Sequence, residues 1–583
     1  MCASTVNSDS LLAVDVGTVT TNAVLFDLVE GYFRFVASGQ AYTTAAAPFN
    51  DISEGVRQAI DSLEVTTGRR FLSDDHQLII PSREGIGVDS FAASLSAGPT
   101  IRTVVVGLLD DVSVESALRL ARSTYTRVVE TITLNDRRKP HEQIDAILKV
   151  NPELFLVAGG TDSGATRSVE RMIEIVALAC RLLPEDKRPA VLFSGNQKVS
   201  GIVKDVLEPL TSSLKISPNL RPTLELEDLK PAQVSLTALY TKIRSMQMRG
   251  VEELNQWSSG TLLPTAQALV RVIRFLSQDS SKGILGVDLG ASHATIAAGF
   301  GGETTLGVYP QLGLGEPISG LLRFTSLEDI ARWLPLDLPI QTVLDYLFQK
   351  SLYPASLPAT VEELAIEQSA ARQVLHLALN SASKDFPGVA RRPALGLTPF
   401  FEPILATGSV LTRAPASGQS LLILLDALQP VGITTVILDQ NHLLPALGVA
   451  AGRNPILPVQ VLESLAFRYL ATVVAPLVNA RVGTPILRVR MVYQNGHESR
   501  LDIKQGSLDV IPLPPGQTGR VYIEPLHKTD IGLGPGHTRE NGFPVSGTTL
   551  GVVIDARGRP LRLPADPIRR QETIKKWLWT LGG

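Results

Sequence analysis

The chain has 583 residues, 44% apolar and 19% charged, a balance that supports several packed cores and leaves no long disordered stretch. Fifty-four Lys and Arg against 57 Asp and Glu give a net charge of −3, which argues against nucleic acid as a partner, and two cysteines, Cys2 and Cys180, exclude a disulfide framework. The first ten residues are polar without a basic residue, and no apolar run approaches the ~20 residues that span a bilayer, so neither a signal peptide nor a transmembrane helix is expected and the cytoplasm fits.

Length alone suggests about three or four domains. Leu11–Val14 reads as a buried strand ending in Asp15-Val16-Gly17-Thr18, and Asn22–Leu28 and Tyr32–Ser38 continue as two more strands joined by Glu30-Gly31. Next comes an alternation of strands and helices: strand Thr103–Leu108, helix Val114–Tyr125, strand Leu154–Val157, helix Val169–Leu183 and strand Val191–Phe193. That alternation predicts crossover connections and a mostly parallel sheet, an inserted α/β domain. The opening motif returns in mid-chain, where Ile284–Val287 leads into Asp288-Leu289-Gly290-Ala291-Ser292, followed by strand Ala294–Phe300, a Gly301-Gly302 turn and strand Thr304–Tyr309. A repeat of this length points to two half-domains of similar fold facing a cleft. Residues 326–383 carry helical periodicity. Beyond Pro485 the pattern shifts to short strands (Leu487–Tyr493, Arg520–Ile523, Leu550–Ile554) among Gly and Pro turns, with a final amphipathic segment containing Trp577 and Trp579.

Both aspartate-glycine loops carry residue types suited to a nucleotide. Gly17 lets the backbone approach a phosphate, the hydroxyls of Thr18, Thr20 and Thr21 can donate to its oxygens, and Asp15 at the strand end can hold a hydrated Mg2+. The competing reading is a tight turn whose Asp and Thr satisfy turn amides; the recurrence at Asp288, with Gly290, Ala291 and Ser292, favours a nucleotide site. His293 reads as an ordinary satisfied histidine. Gly408 and Ser409, in Ala406-Thr407-Gly408-Ser409-Val410-Leu411, offer small residues against which a nucleoside can lie. A fourth glycine element, Gly159-Gly160-Thr161-Asp162-Ser163-Gly164, ends a strand ahead of a helix and reads either as an anion site or as a helix cap provided by Asp162.

Together these elements resemble the actin/Hsp70/sugar-kinase superfamily, and more closely the glutamate mutase MutL (GlmL-like) family. The closer resemblance rests on the Leu156–Gly164 block, Leu352-Tyr353-Pro354, and above all Leu425-Asp426-Ala427-Leu428-Gln429-Pro430-Val431-Gly432-Ile433-Thr434, and covers about residues 11–455. It implies a duplicated ribonuclease-H-like, actin/Hsp70-type two-lobed ATPase fold. The first lobe is expected over 1–80 and 216–283, an inserted α/β domain over 81–215, the second lobe over 284–483, and a β-rich C-terminal appendage with a terminal helix over 484–583. ATP and Mg2+ are the implied cofactors, with Asp15 and Asp288 as metal-holding and catalytic residues and Gly17, Thr18, Thr20, Thr21, Gly290, Ala291, Ser292, Gly408 and Ser409 around the nucleotide. The family's second loop typically continues Gly-Gly-Ala-Thr-Thr-Asp. This chain reads Gly290-Ala291-Ser292-His293-Ala294-Thr295, losing an acid and a hydroxyl, a change compatible with binding but not with fast hydrolysis.

The implied function is a slowly hydrolysing, ATP-dependent reactivating chaperone whose protein partner is a cobalamin-dependent mutase. The alternative is a degenerate actin-like scaffold that self-associates or docks a partner without turnover. A small-molecule kinase is disfavoured, because no general-base aspartate accompanies a substrate motif.

Overall fold

The computed structural model describes residues 10–394 and 396–583; Cys2 lies outside them. The chain divides into two compact units, one made of residues 1–28 and 36–268 and the other of 29–35 and 269–583.

In the first unit, β1 (Ser10–Val16), β2 (Thr20–Val29), β3 (Tyr32–Tyr42) and β4 (Ser90–Leu95) come first. The insertion follows with β5 (Ile101–Gly107), β6 (Thr126–Thr133), β7 (Leu154–Val157), β8 (Ala190–Phe193) and β9 (Ser213–Ile216), before β10 (Leu263–Pro264) returns to the first sheet. The first sheet runs β10-β4-β1-β2-β3, with β1 antiparallel to β2 and parallel to β4. Every residue of β1 is buried, as a central strand covered on both faces requires. Helix Ile52–Thr67 is closed by Asp51, whose carboxylate accepts from the Ser53 amide, and by the left-handed Gly68.

The insertion is a five-stranded sheet in the order β6-β5-β7-β8-β9, every neighbouring pair parallel, as the alternation of strands and helices predicts. One element differs. The expected helix Val114–Tyr125 is a wide turn over Asp110–Val114 followed by helix Glu115–Ala121, and strand β6 follows at the sheet edge. Edge position explains why β6 is hard to read: of its eight residues only Thr126 and Ile132 are buried, so its apolar pattern is thin. Cys180 is free, buried in helix Arg167–Leu182, and its thiol is pushed up to about 12 by burial.

The second unit begins with β11 (Gly283–Leu289), β12 (Ala294–Phe300), β13 (Glu303–Tyr309), β14 (Phe401–Thr407), β15 (Gly432–Leu438) and β16 (Arg468–Ala475). It ends with β17 (Pro485–Tyr493), β18 (Glu498–Lys504), β19 (Leu508–Ile511), β20 (Thr518–Pro525), β21 (Phe543–Ser546) and β22 (Val552–Asp555). The main sheet runs β13-β12-β11-β14-β15-β16-β22-β19. Its first five strands repeat the order and directions of the first sheet: a hairpin partner antiparallel to the opening strand, then parallel neighbours on its other side. Two sheets of this one topology make the protein a duplicated ribonuclease-H-like, actin/Hsp70-type α/β fold.

The C-terminal region is less separate than its sequence suggests. β17, β18, β20 and β21 form a four-stranded antiparallel sheet, but β19 and β22 extend the main sheet. A buried ionic network ties this region down. Asp426 accepts from Arg372 Nε at 2.8 Å and from Arg557 Nη1 at 2.7 Å, and Asp555 pairs with Arg557 at 2.8 Å and Arg559 at 2.7 Å. The Arg557 guanidinium lies 4.4 Å above the Trp577 ring of the terminal helix Pro567–Thr580. Burial alone would push the Asp555 carboxyl up; the Arg557 and Arg559 guanidiniums outweigh it and hold the carboxyl well below its ordinary range. No described helix is long and apolar enough to cross a membrane.

Candidate functional site: two aspartate-glycine loops

The two loops are built alike. In the first unit Asp15 stands opposite Asn22 across the β1–β2 hairpin, and the Gly17 amide donates to the Thr20 carbonyl at 3.0 Å. In the second unit Asp288 stands opposite Thr295, and the Gly290 amide donates to the His293 carbonyl, also at 3.0 Å. Strand, register and turn coincide, so the repeat seen in sequence is one structural motif used twice.

A side chain would crowd the backbone at both turns, more severely at Gly17 than at Gly290. A Cβ on Gly17 would sit 2.7 Å from the Thr20 carbonyl oxygen, and one on Gly290 would sit 3.0 Å from that of His293. Behind the first loop, Asp15 is nearly buried; its Oδ1 accepts from Ser94 Oγ and Thr265 Oγ1, each at 2.6 Å. Burial raises the Asp15 pKa, and those two hydrogen bonds oppose the rise. Thr18 and Thr20 are half-buried, and their hydroxyls have no protein partner among the described residues. Thr21 departs from expectation. It is fully buried and its hydroxyl pairs with Thr43 Oγ1 at 2.9 Å, while Thr43 also donates to the Gly17 carbonyl at 2.8 Å. The strand's alternation turns this threonine inward, where it braces the loop instead of presenting a donor to a phosphate.

In the second unit Asp288 is half-buried, as are Gly290, Ala291 and Ser292, and the Ser292 hydroxyl has no protein partner among the described residues. The loop is backed by a segment the sequence reading passed over: Leu314 N donates to Gly290 O at 3.1 Å and Gly315 N to Ala291 O at 2.7 Å. A Cβ on Gly313 would meet the Ala291 carbonyl at 2.5 Å, so only glycine lets this segment lie so close. Thr295 is fully buried with its hydroxyl unpartnered, an orphan polar group beside Asp288 in register. His293 is buried.

Strand β14 brings the third glycine element to the same place. Asp288 is paired with Thr407, and Gly408, at φ 114°, presses its backbone on Leu289, where a Cβ would lie 2.2 Å from the carbonyl oxygen. Ser409 is exposed and begins a short helix, Ser409–Thr412. Two side chains missed in sequence complete the surroundings. Asp439, at the end of β15, accepts from the Leu443 and Leu444 amides at 2.8 and 2.7 Å, and His442 Nδ1 stands 3.4 Å from Thr407 Oγ1. Burial, aided by the charge of Arg413, lowers the His442 pKa to about 4, so the imidazole is neutral at physiological pH. Nothing local in the sequence signals that the Asp439 carboxylate caps a helix.

Gly159–Gly164 stands at the end of β7 in the insertion. Gly160 is left-handed, and Asp162 accepts from Asn219 Nδ2 at 2.9 Å. The following helix Arg167–Leu182 has Thr166 as its N-cap, so the expectation that Asp162 caps it is corrected: the aspartate is spent on the loop after β9.

These residues fit a magnesium nucleotide in a restricted sense. Among the described residues no cluster of three or more His, Cys, Asp or Glu side chains can hold a metal, so Mg2+ would rely on one or two carboxylates, water and phosphate oxygens, its common arrangement beside nucleotides.

The family model described as MutL protein matches residues 11–465. The chain belongs to the MutL protein family. A MutL relative, Protein MutL of Clostridium tetanomorphum, is 23% identical over 317 residues, 53% of this chain and 62% of the relative, so the match spans under two thirds of that protein. Among solved structures, nucleotide-free acetone carboxylase is similar over 85% of this MutL-family chain and 81% of its own, at 12% identity and a TM-score of 0.34. Nucleotide-free diol dehydratase-reactivating factor is similar over 78% and 99%, at 10% identity and a TM-score of 0.28.

Proposed function

We propose that this MutL-family protein binds Mg-ATP through its two aspartate-glycine loops and uses the nucleotide to change its grip on a protein partner. The supporting observation is the single hairpin turn repeated at the end of a buried strand in both sheets. Glycine stands in both turns where a Cβ would crowd the backbone, and the Thr18, Thr20 and Ser292 hydroxyls are left without protein acceptors. Backbone amides and free hydroxyls so arranged suit phosphate oxygens. Asp15 and Asp288 are assigned to Mg2+ and its water, Thr18, Thr20, Gly290, Ala291 and Ser292 to phosphates, and Gly408 with Ser409 and neutral His442 to the nucleoside. Bound Mg2+ would supply charge neutralisation for the phosphates. The partner is inferred from the family resemblance to be a cobalamin-dependent mutase, with the protein acting as its reactivating chaperone.

A second reading, a nucleotide-binding scaffold without significant turnover, has one observation of its own. His293 is buried at the position where the first loop presents the half-buried Thr20, so the second loop has one hydroxyl fewer.

Thermal unfolding with and without Mg-ATP or Mg-ADP tests the proposal. A ligand that binds only the folded state adds RT ln(1 + [L]/Kd), about 2.7 kcal/mol at a hundredfold excess over Kd. A shift in the wild type is expected; no shift with either nucleotide overturns the reading. Turnover stimulated by an added mutase separates the chaperone from the scaffold.

A further inference from the structure

A cavity in the second unit lies at the opposite end of the main sheet from the Asp288 loop. It encloses about 720 Å³ and is walled on one side by the main sheet, near the starts of β14 and β15, and on the other by β21 and the loops of the four-stranded sheet. Asp288 and Gly408 stand at the far ends of β11 and β14, whereas Lys282 and Glu402 stand at their beginnings. Six strand residues at ~3.3 Å each put the two ends roughly 20 Å apart. The volume is within the ~300–1,000 Å³ typical of small-molecule sites.

The lining joins charge to apolar surface. Lys282 Nζ donates one hydrogen to the Ile433 carbonyl at 2.8 Å, and no other described residue accepts from it. Glu402 Oε2 accepts from the Thr435 amide at 2.9 Å; Oε1 receives no protein donor among the described residues. The two side chains face one cavity without closing into a salt bridge, so each keeps hydrogen-bonding capacity for a third party. Arg539, exposed at the rim, stacks on the Phe543 ring at 5.3 Å and gives its side-chain donors to no described protein acceptor. Tyr469, Ile531, Phe543 and Val545 supply the apolar wall. Burial disfavours charge on both inner groups, lowering Lys282 and raising Glu402, which is the condition of groups awaiting a polar ligand in place of water.

We propose that this cavity is a second ligand site, distinct from the nucleotide loops, for a small organic anion: a carboxylate or phosphate on an apolar body. The headgroup is held by Lys282 and Arg539, a hydroxyl or amine of the ligand is accepted by Glu402, and the body packs on Tyr469 and Phe543. A purely apolar ligand would leave Arg539 without an acceptor and Lys282 with the Ile433 carbonyl alone, and a free inorganic anion would leave the apolar wall uncovered.

Calorimetric titration of the full chain with 1-naphthoate, 1-naphthyl phosphate and the neutral 1-naphthalenemethanol tests this. Expected is one anion per chain, at least tenfold tighter than the neutral probe, with the better of the two anions identifying the headgroup. Arg539→Gln, at an exposed position, should weaken the anion at least tenfold while leaving the unfolding temperature unchanged. Ser546→Trp, on the exposed lining strand, should exclude all three probes. Lys282→Met should act like Arg539→Gln, but the test stands without it if that variant does not fold. Absence of anion binding at millimolar concentration, equal affinity for the neutral probe, or wild-type affinity in both Arg539→Gln and Ser546→Trp overturns the proposal.

Discussion

The two halves of this protein start from one plan and diverge in what surrounds it. Both place an aspartate at the end of a buried strand, opposite the residue seven positions on, and close the hairpin with the same 3.0 Å amide bond. In the first half the aspartate is sunk and gripped by Ser94 and Thr265, and the loop shows two free hydroxyls. In the second it is half-buried, the loop shows one, and the sheet runs on through β16, β22 and β19 to a buried ionic network. The turn is the constant feature, and the side chains behind it are where the halves differ.

Breaking the extension of the second half should have the largest effect. Asp426→Ala leaves the buried Arg372 guanidinium without a carboxylate and Arg557 with Asp555 alone, and removing one partner of a buried pair costs about 3–5 kcal/mol, to be seen in urea unfolding. Gly408→Ala follows: its positive φ and the crowding on Leu289 should cost about 2–3 kcal/mol and abolish nucleotide binding, read by unfolding and by titration with Mg-ATP. The loops themselves can be compared directly. Gly17→Ala should cost about 1–2 kcal/mol and Gly290→Ala less, because the added Cβ meets a carbonyl at 2.7 Å in one and 3.0 Å in the other.

Acid should separate the halves with the smallest effect. Asp555 has a folded pKa below its unfolded value of about 3.9, so its contribution is full above that pH and is lost as pH falls towards the folded value. Asp15 has a raised folded pKa, so its cost is absent at low pH and grows as pH rises through the folded value. Hydrogen exchange below about pH 4 should therefore show β22 losing protection before β1.

The fold was legible where short-range pattern carries it. Ala294–Phe300 and Leu154–Val157 are strands with the bounds the apolar runs indicate, and the Asp-x-Gly repeat marks both turns. What escaped depends on distant partners. Asp15 finds Ser94 and Thr265 at separations of 79 and 250 residues, which no local spacing announces. Thr21 looks like Thr18 and Thr20 in sequence, yet alternation along β2 turns it into the core. The Leu425–Thr434 block, the most specific sign of the family, contains Asp426, whose side chain ties helix Ser417–Leu428 to Arg557 just past β22, a packing role that a motif read alone cannot distinguish from a chemical one.

The central claim is that both loops serve a nucleotide, and calorimetric titration of Mg-ATP into the wild type, Asp15→Ala and Asp288→Ala addresses it most directly. One ATP per folded chain is predicted, with binding weakened at least tenfold by either substitution while the unfolding cooperativity is kept. No binding to the wild type at millimolar ATP, or wild-type affinity in both variants, would contradict the account.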